Sequence, residues 1–265
     1  MATPADRSAV REARRVVVKV GSSSISGENA RNIEPLVDAL AAAHARGVEI
    51  VLVSSGAIAT GMPYLRLSTR PGDLATQQAA AAVGQNVLVY RYQDSLDRYD
   101  IVAGQVLLTA GDLENPTHRS NAERAMERLL ALRILPIVNE NDTVATHEIR
   151  FGDNDRLAAL VSMLIRADAL VLLSDVDAIY TRPPAEAGAE RIGLVTDGSE
   201  LDGVTFGAST SGVGTGGAST KVSAARLAAA SGTGVLVTSI ERVADALAGA
   251  EIGTWFAPSP RPLGH

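Results

Sequence analysis

The residues best equipped for chemistry are two lysines far apart in the chain and two clusters of carboxamides and carboxylates between them. Lys19 stands inside the β-branched run Val16 to Val20 and is followed by Gly21-Ser22-Ser23-Ser24. Lys221 closes the stretch Gly212 to Lys221, which reads Gly-Val-Gly-Thr-Gly-Gly-Ala-Ser-Thr-Lys and precedes an apolar-phased run at Val222, Ala225, Leu227 and Ala228. Between them lie Asn139-Glu140-Asn141-Asp142 at a strand end and Gly152-Asp153-Asn154-Asp155 at a helix start.

Each feature has a bland explanation. Asn, Asp and Gly are turn and N-cap residues, a strand lysine can snorkel, and a glycine-rich run can be a linker. Two polar clusters bracketing one short segment, both at element ends where α/β proteins hold ligands, favour a polar binding site. A lysine beside a Gly/Ser loop favours an anion, and glycine-rich backbone leading into a helix can fold its N–H groups around phosphate. The spacing at Gly212 to Lys221 differs from the P-loop pattern, and no strand comes directly before it. A further anion-favouring feature follows the run Glu49 to Val53, where Ser54-Ser55-Gly56-Ala57 leads into a helix start.

Together these residues suggest phosphoryl transfer from a nucleotide to a small anionic acceptor. Such chemistry is mostly positioning and charge neutralisation. An alcohol acceptor needs a base beside it, whereas a carboxylate acceptor is already ionised at neutral pH.

The elements that must position these side chains follow from periodicity. Strands are expected at Val16–Val20, Glu49–Val53, Val102–Leu108, Leu135–Val138, Ala169–Leu173, Gly234–Val237 and Thr254–Phe256. Helices are expected from Glu34 to Arg46, from Asp73 through about Arg98, from a capping box at Ser120-Asn121-Ala122-Glu123, after Asp155, after Lys221, and from Glu241 to Ala248. The alternation predicts an α/β fold with a mainly parallel sheet covered on both faces. Polar groups at Ser174-Asp175 lie at the end of one of these strands.

Composition limits the partners. The chain has 265 residues, 46% hydrophobic but only 3% aromatic, so its core is built from Ala, Val, Leu and Ile. A net charge of -6 without a Lys/Arg block makes nucleic acid a poor partner. Zero cysteines exclude thiol chemistry, and the four histidines, His44, His118, His147 and His265, lack metal-ligand spacing and read as surface residues. No signal-peptide core or membrane span is expected, since the longest apolar region, Leu157 to Leu173, is interrupted by Arg166 and Asp168. A cytoplasmic protein is the expectation, with a frayed proline-containing tail after Ala257.

Lys19-Val20-Gly21-Ser22-Ser23, Ser54 through Ala59, Asn139 through Asp142, Gly152 through Asp155, and Gly214-Thr215-Gly216-Gly217 through Lys221 resemble, in order and spacing, the amino acid kinase family. The Asn-Glu-Asn-Asp and Gly-Asp-Asn-Asp motifs are similar to those of its glutamate-phosphorylating branch. The resemblance implies a three-layer αβα sandwich forming one domain over 1–265, with an acceptor lobe over about 1–170, a nucleotide lobe over about 171–257 and a tail at 258–265. It implies transfer from ATP, with Mg²⁺, to the γ-carboxylate of L-glutamate in the first step of proline synthesis. L-proline as feedback inhibitor and a homodimer or homotetramer are implied as well.

By the same match Lys19, Lys221 and Asp155 are implied as catalytic, the carboxylate holding both lysines. Ser55, Gly56, Ala57, Asn139, Asp142, Asp153 and Asn154 are implied to bind the acceptor. Lys19, Gly21, Ser174, Asp175, Thr215, Gly216, Gly217, Ala218, Ser219, Thr220 and Lys221 are implied to line the nucleotide site, and no direct protein ligand for the metal is implied. Asp142 offers a free ammonium a negative partner that an N-acetylated substrate does not want. Ser22 and Ser174 stand where the branch commonly has Thr, and Ala218 where it commonly has Met. Many bacterial members carry a C-terminal PUA domain, and a form without it is the expectation here. The alternatives are a sibling such as an acetylglutamate kinase, aspartokinase or uridylate kinase, or a non-catalytic amino-acid sensor; retention of both lysines argues against the sensor.

Overall fold

Runs of valine, leucine and isoleucine that are apolar on both faces favour parallel strands buried in the middle of a layered fold. A computed structural model of the chain describes residues 7–145, 154–204 and 217–260. A short helix α1 (Ser8–Glu12) leads into β1 (Arg15–Lys19), α2 (Ile33–Ala45), β2 (Glu49–Val53), α3 (Ala57–Gly61) and the long α4 (Leu74–Leu96). Then come β3 (Ala103–Leu108), α5 (Ala110–Glu114), α6 (Pro116–Ala131), β4 (Leu135–Glu140), α7 (Asn154–Leu164) and β5 (Ala169–Ser174). The small strands β6 (Ile179–Tyr180), β7 (Arg191–Ile192) and β8 (Leu194–Val195) precede α8 (Ala218–Ala230), β9 (Gly234–Ser239), α9 (Val243–Leu247) and β10 (Thr254–Phe256).

Eight strands form one sheet in the order β3-β4-β2-β1-β5-β9-β10-β8, parallel except for the β9–β10 pair, while β6 and β7 form a separate antiparallel ribbon. From β1 the chain moves to one side through β2, then returns to place β5 on the other side. The crevice outside the carboxyl ends of β1 and β5 is therefore the topological switch point, where open α/β sheets bind ligands.

Side-chain alternation along β1 decides which face each residue serves. Val16 and Val18 enter the core cluster with α2, α4 and α9, whereas Val17 enters the cluster with α6, α7 and α8. Lys19 shares the parity of Val17, so its stem is directed to the α7 and α8 face. On β4, Ile137 serves the α4 face and Val138 the α7 face, which returns Asn139 to the α4 side.

The expected strands are present with shifts of one or two residues. Asp73 caps α4 as anticipated, its carboxylate accepting the Thr76 N–H at 2.8 Å. Three expectations need correction. Helix α6 begins at Pro116 rather than Ser120, because Asn115 accepts the N–H groups of Thr117 and His118 and proline occupies the first helical position. Helix α8 begins at Ala218, so Lys221 lies within its first turns rather than before it. The tail is not frayed throughout, since the Ser259 N–H donates to the Ala229 carbonyl at 2.8 Å. Of the histidines, His118 is exposed and His44 is half-buried against the Arg133 carbonyl at 3.2 Å. His147 and His265 lie outside the described residues.

Candidate active site

The carboxylate of Asp155, in the first turn of α7, is wholly buried and receives a lysine on each oxygen. Lys19 Nζ, from the end of β1, lies 2.5 Å from Oδ1, and Lys221 Nζ, from α8, lies 3.3 Å from Oδ2. Thr220 Oγ1 is 3.0 Å from the same Oδ2 and accepts the Gly217 N–H at 3.0 Å, which ties the start of α8 to the start of α7. Lys19 is only 3% and Lys221 6% exposed. Two cations meet one buried anion at the switch-point crevice, and the exposed carboxylate of Asp175 acts on Lys221 from farther off.

Burial drives the Asp155 carboxyl upward, but attraction to Lys19 and Lys221, with hydrogen bonds from Lys19 and Thr220, outweighs it and holds the pKa below the usual carboxylate value. For Lys221, burial is the largest influence and repulsion from Lys19 adds to it. Asp155 and the more distant Asp175 oppose both, and the net result is an ammonium with a lowered pKa.

The loop after β1 passes close to the Lys19 amine. A side chain on Gly21 would begin 3.8 Å from Lys19 Nζ, and Ser23 Oγ donates to Asp175 Oδ1 at 3.3 Å, bridging the ends of β1 and β5. Ser174, the last residue of β5, is buried and Asp175 is exposed. Ser219 and Ala218 stand in the first turn of α8. Thr215 and Gly216 lie outside the described residues, as does Asp153.

Next to this cluster Asn154 joins the end of β4 to the loop after β2. Its Nδ2 donates to the Ser54 carbonyl at 2.7 Å, Asn139 Oδ1 at 2.9 Å and Ser55 Oγ at 3.0 Å. Gly56 has φ 93°, and a Cβ there would meet Ser26 Oγ at 2.9 Å and Ser22 Cα at 3.4 Å, so this turn requires glycine. Ala57 is buried where α3 lies against α4. Added Cβ atoms at Gly84 and Gly61 would come within 1.8 Å of the Ala57 carbonyl and 1.9 Å of the Ala80 carbonyl, so the two helices touch through their backbones. Asp142 is half-buried in the turn after β4. Thus Lys19, Lys221 and Asp155 converge directly, and Ser55, Asn139 and Asn154 join one another beside them.

Thr220, expected to line the nucleotide site, also touches Asp155 directly. Sequence reasoning missed Gln85 and Tyr92 on α4, which bond Asn139 at 2.6 Å and Ser54 Oγ at 3.0 Å. Their phase gives the signal: Ala81, Gln85, Leu88 and Tyr92 share one buried stripe of the helix.

Residues 14–239 match the model of the amino acid kinase family. The fold is shared with carbamate kinase from Giardia lamblia bound to AMP-PNP, at TM-score 0.67 and 17% identity over 93% of this chain and 99% of that one. The chain belongs to the amino acid kinase family. Among its relatives, the glutamate 5-kinase of Clavibacter sepedonicus is 75% identical over 96% of this chain and 98% of that relative, and that of Leifsonia xyli is 75% identical over 96% and 94%. The glutamate 5-kinase of Streptomyces coelicolor is 56% identical over 96% of this chain and 70% of its own length. Within the family, the chain groups with the glutamate 5-kinases.

Proposed function

We propose that the enzyme transfers the γ-phosphoryl group of ATP to the γ-carboxylate of L-glutamate, giving L-glutamyl 5-phosphate and ADP in the first step of proline biosynthesis. The observation that carries this reading is the convergence of two buried lysines from β1 and α8 on one carboxylate at the switch point. The names of the relatives supply the acceptor.

In this reading a glutamate carboxylate oxygen attacks phosphorus while the bridging oxygen of ADP leaves. No proton has to be removed from the nucleophile, so the reaction requires no histidine base. Negative charge on the equatorial and leaving oxygens is met by Lys19 and Lys221, which Asp155 holds in place without solvent reorganisation. Ser55, Gly56 and Ala57 form the turn that receives one substrate carboxylate, Asn154 and Asp142 receive the ammonium, and Asn139 orients Asn154. Asp153 and the segment through Thr215, Gly216 and Gly217 complete the acceptor and nucleotide sites, with Gly21, Ser174, Asp175, Ala218 and Ser219 beside the phosphates.

Mg²⁺ fits as an ion carried by the nucleotide. Both Asp155 oxygens are engaged by lysines, and no cluster of three His, Asp or Glu suited to a metal occurs among the described residues. When bound, the ion neutralises phosphate oxygens. The strand order supports an acceptor lobe on the β3-β4-β2 side and a nucleotide lobe on the β5-β9 side. Resemblance to the glutamate 5-kinases supports inhibition by L-proline, assembly as a homodimer or homotetramer, and a cytoplasmic location. Among the described residues no helix is long and apolar enough to cross a membrane.

Trapping the acyl phosphate with hydroxylamine tests the assignment. ATP-dependent hydroxamate is expected from L-glutamate and not from N-acetylglutamate. Hydroxamate from N-acetylglutamate alone would assign the chain to a sibling activity, and none from any acceptor would favour a sensor.

A further inference from the structure

Three side-chain amides form a row whose polarity is dictated by the backbone. The Ser54 carbonyl can only accept, so the group facing it at 2.7 Å must be Asn154 Nδ2. The Glu140 N–H can only donate, so the atom facing it at 2.9 Å must be Asn139 Oδ1, which also accepts from Asn154 Nδ2. Asn139 Nδ2 is thereby left as a donor, and Gln85 Oε1 receives it at 2.6 Å. Reversing any one amide sets donor against donor or oxygen against oxygen.

The consequence falls at the far end of the row. With the two Asn154 Nδ2 hydrogens shared among three protein oxygens, the Asn154 carboxamide oxygen is the atom left to face a ligand. That oxygen accepts hydrogen bonds and suits an ammonium, not a carboxylate. At the near end, Gln85 is 8% exposed, and its Nε2 is fully covered with no acceptor among the described residues. Packing alone does not ask for an amide there, because a methionine fills similar space without burying an unmatched N–H.

We propose that Gln85 is a positioning residue that sets acceptor specificity: the backbone fixes the polarity of the row, and Gln85, by accepting from Asn139 Nδ2, holds Asn139 and through it Asn154 in the place where the Asn154 oxygen selects an amino acid bearing a free ammonium. The proposal deepens the assignment above and rests on Asn154 contacting the acceptor.

The test measures kcat/KM for L-glutamate and for glutarate, which lacks the ammonium, with KM for ATP as a control. In Gln85→Met, the preference for glutamate over glutarate should fall about tenfold, the size of one hydrogen bond to a charged group, while KM for ATP is unchanged. In Gln85→Glu the oxygen facing Asn139 is kept, and the preference should stay within about threefold of wild type. Gln85→Asn, polar but one methylene short of Asn139, carries the same expectation as Met should the latter fail to fold. An unchanged preference in a folded Met or Asn variant overturns the proposal, as does a Glu variant that loses preference as fully as Met. If the wild type forms no product from glutamate, the function assignment itself has failed, an outcome distinguishable from either result.

Discussion

Asp155 accepts Lys19 on one carboxylate oxygen at 2.5 Å and turns the other toward Lys221 at 3.3 Å, all three side chains being buried. The carboxylate compensates two ammonium groups that repel each other and are cut off from water. Removing one partner of a buried ion pair typically costs about 3–5 kcal/mol. Asp155→Asn should therefore lower the urea midpoint markedly, and added sulfate or phosphate should restore more stability to the variant than to wild type. An unchanged midpoint would show that the lysines find another counter-charge.

The same ion cluster has a pH signature. The folded Asp155 pKa is depressed below 3.8, so its contribution to stability is present above 3.8 and lost as pH falls through the folded value. Wild type should lose more stability than Asp155→Asn in that acid range. Equal acid sensitivity would contradict the geometry.

Lys221 titrates below its ordinary value of 10.5 in the free protein, first because it is buried and then because Lys19 is near. Its useful cationic form is lost as pH rises through that lowered value. The alkaline limb of kcat/KM for ATP, which reports the free enzyme, should fall below 10.5, and the limb of kcat should lie higher because bound phosphates favour the ammonium. Coincident limbs at or above 10.5 would rule out Lys221 as the group observed.

Lys19 and Lys221 meet one carboxylate and, in the proposed reaction, one phosphoryl group. Each single change to methionine should reduce kcat by about 10²–10³-fold, and the double variant should lose far less than the product of the two. Strict multiplicativity would mean that the amines act independently.

Gly84 supports sterically the Gly56-Ala57 turn proposed to receive the acceptor. A methyl there would overlap the Ala57 carbonyl, and α3 carries the Gly56-Ala57 turn on its first residues. Gly84→Ala should raise KM for glutamate by about tenfold or more with KM for ATP nearly unaltered. Equal effects on both substrates would point to general unfolding instead.

Much of this arrangement was legible because strands and helices advertise themselves by period. Val17 and Lys19 share a face by simple alternation, and the caps at Asp73 and the polar ends of β4 and β5 were visible as residue types. Burial of a polar residue was harder to see. Gln85 sits in an Ala/Gln-rich helix where glutamine ordinarily reads as solvent-facing, and only its phase with Ala81, Leu88 and Tyr92 betrays its position. Thr220 reads as helix-start chemistry, yet its contact with Asp155 depends on how α7 and α8 pack. The two-residue strands β6, β7 and β8 are too short to leave a periodic signal.

The central claim, that a glutamate carboxylate oxygen is the nucleophile toward the γ-phosphorus, is tested most directly by isotope transfer. The enzyme is given ATP, hydroxylamine and glutamate labelled with oxygen-18 in its γ-carboxylate, and the released phosphate is examined by mass spectrometry. Hydroxylamine attacks the acyl carbon and expels phosphate with the bridging oxygen, so each phosphate should carry one labelled oxygen from glutamate. Unlabelled phosphate released in step with hydroxamate would contradict the account.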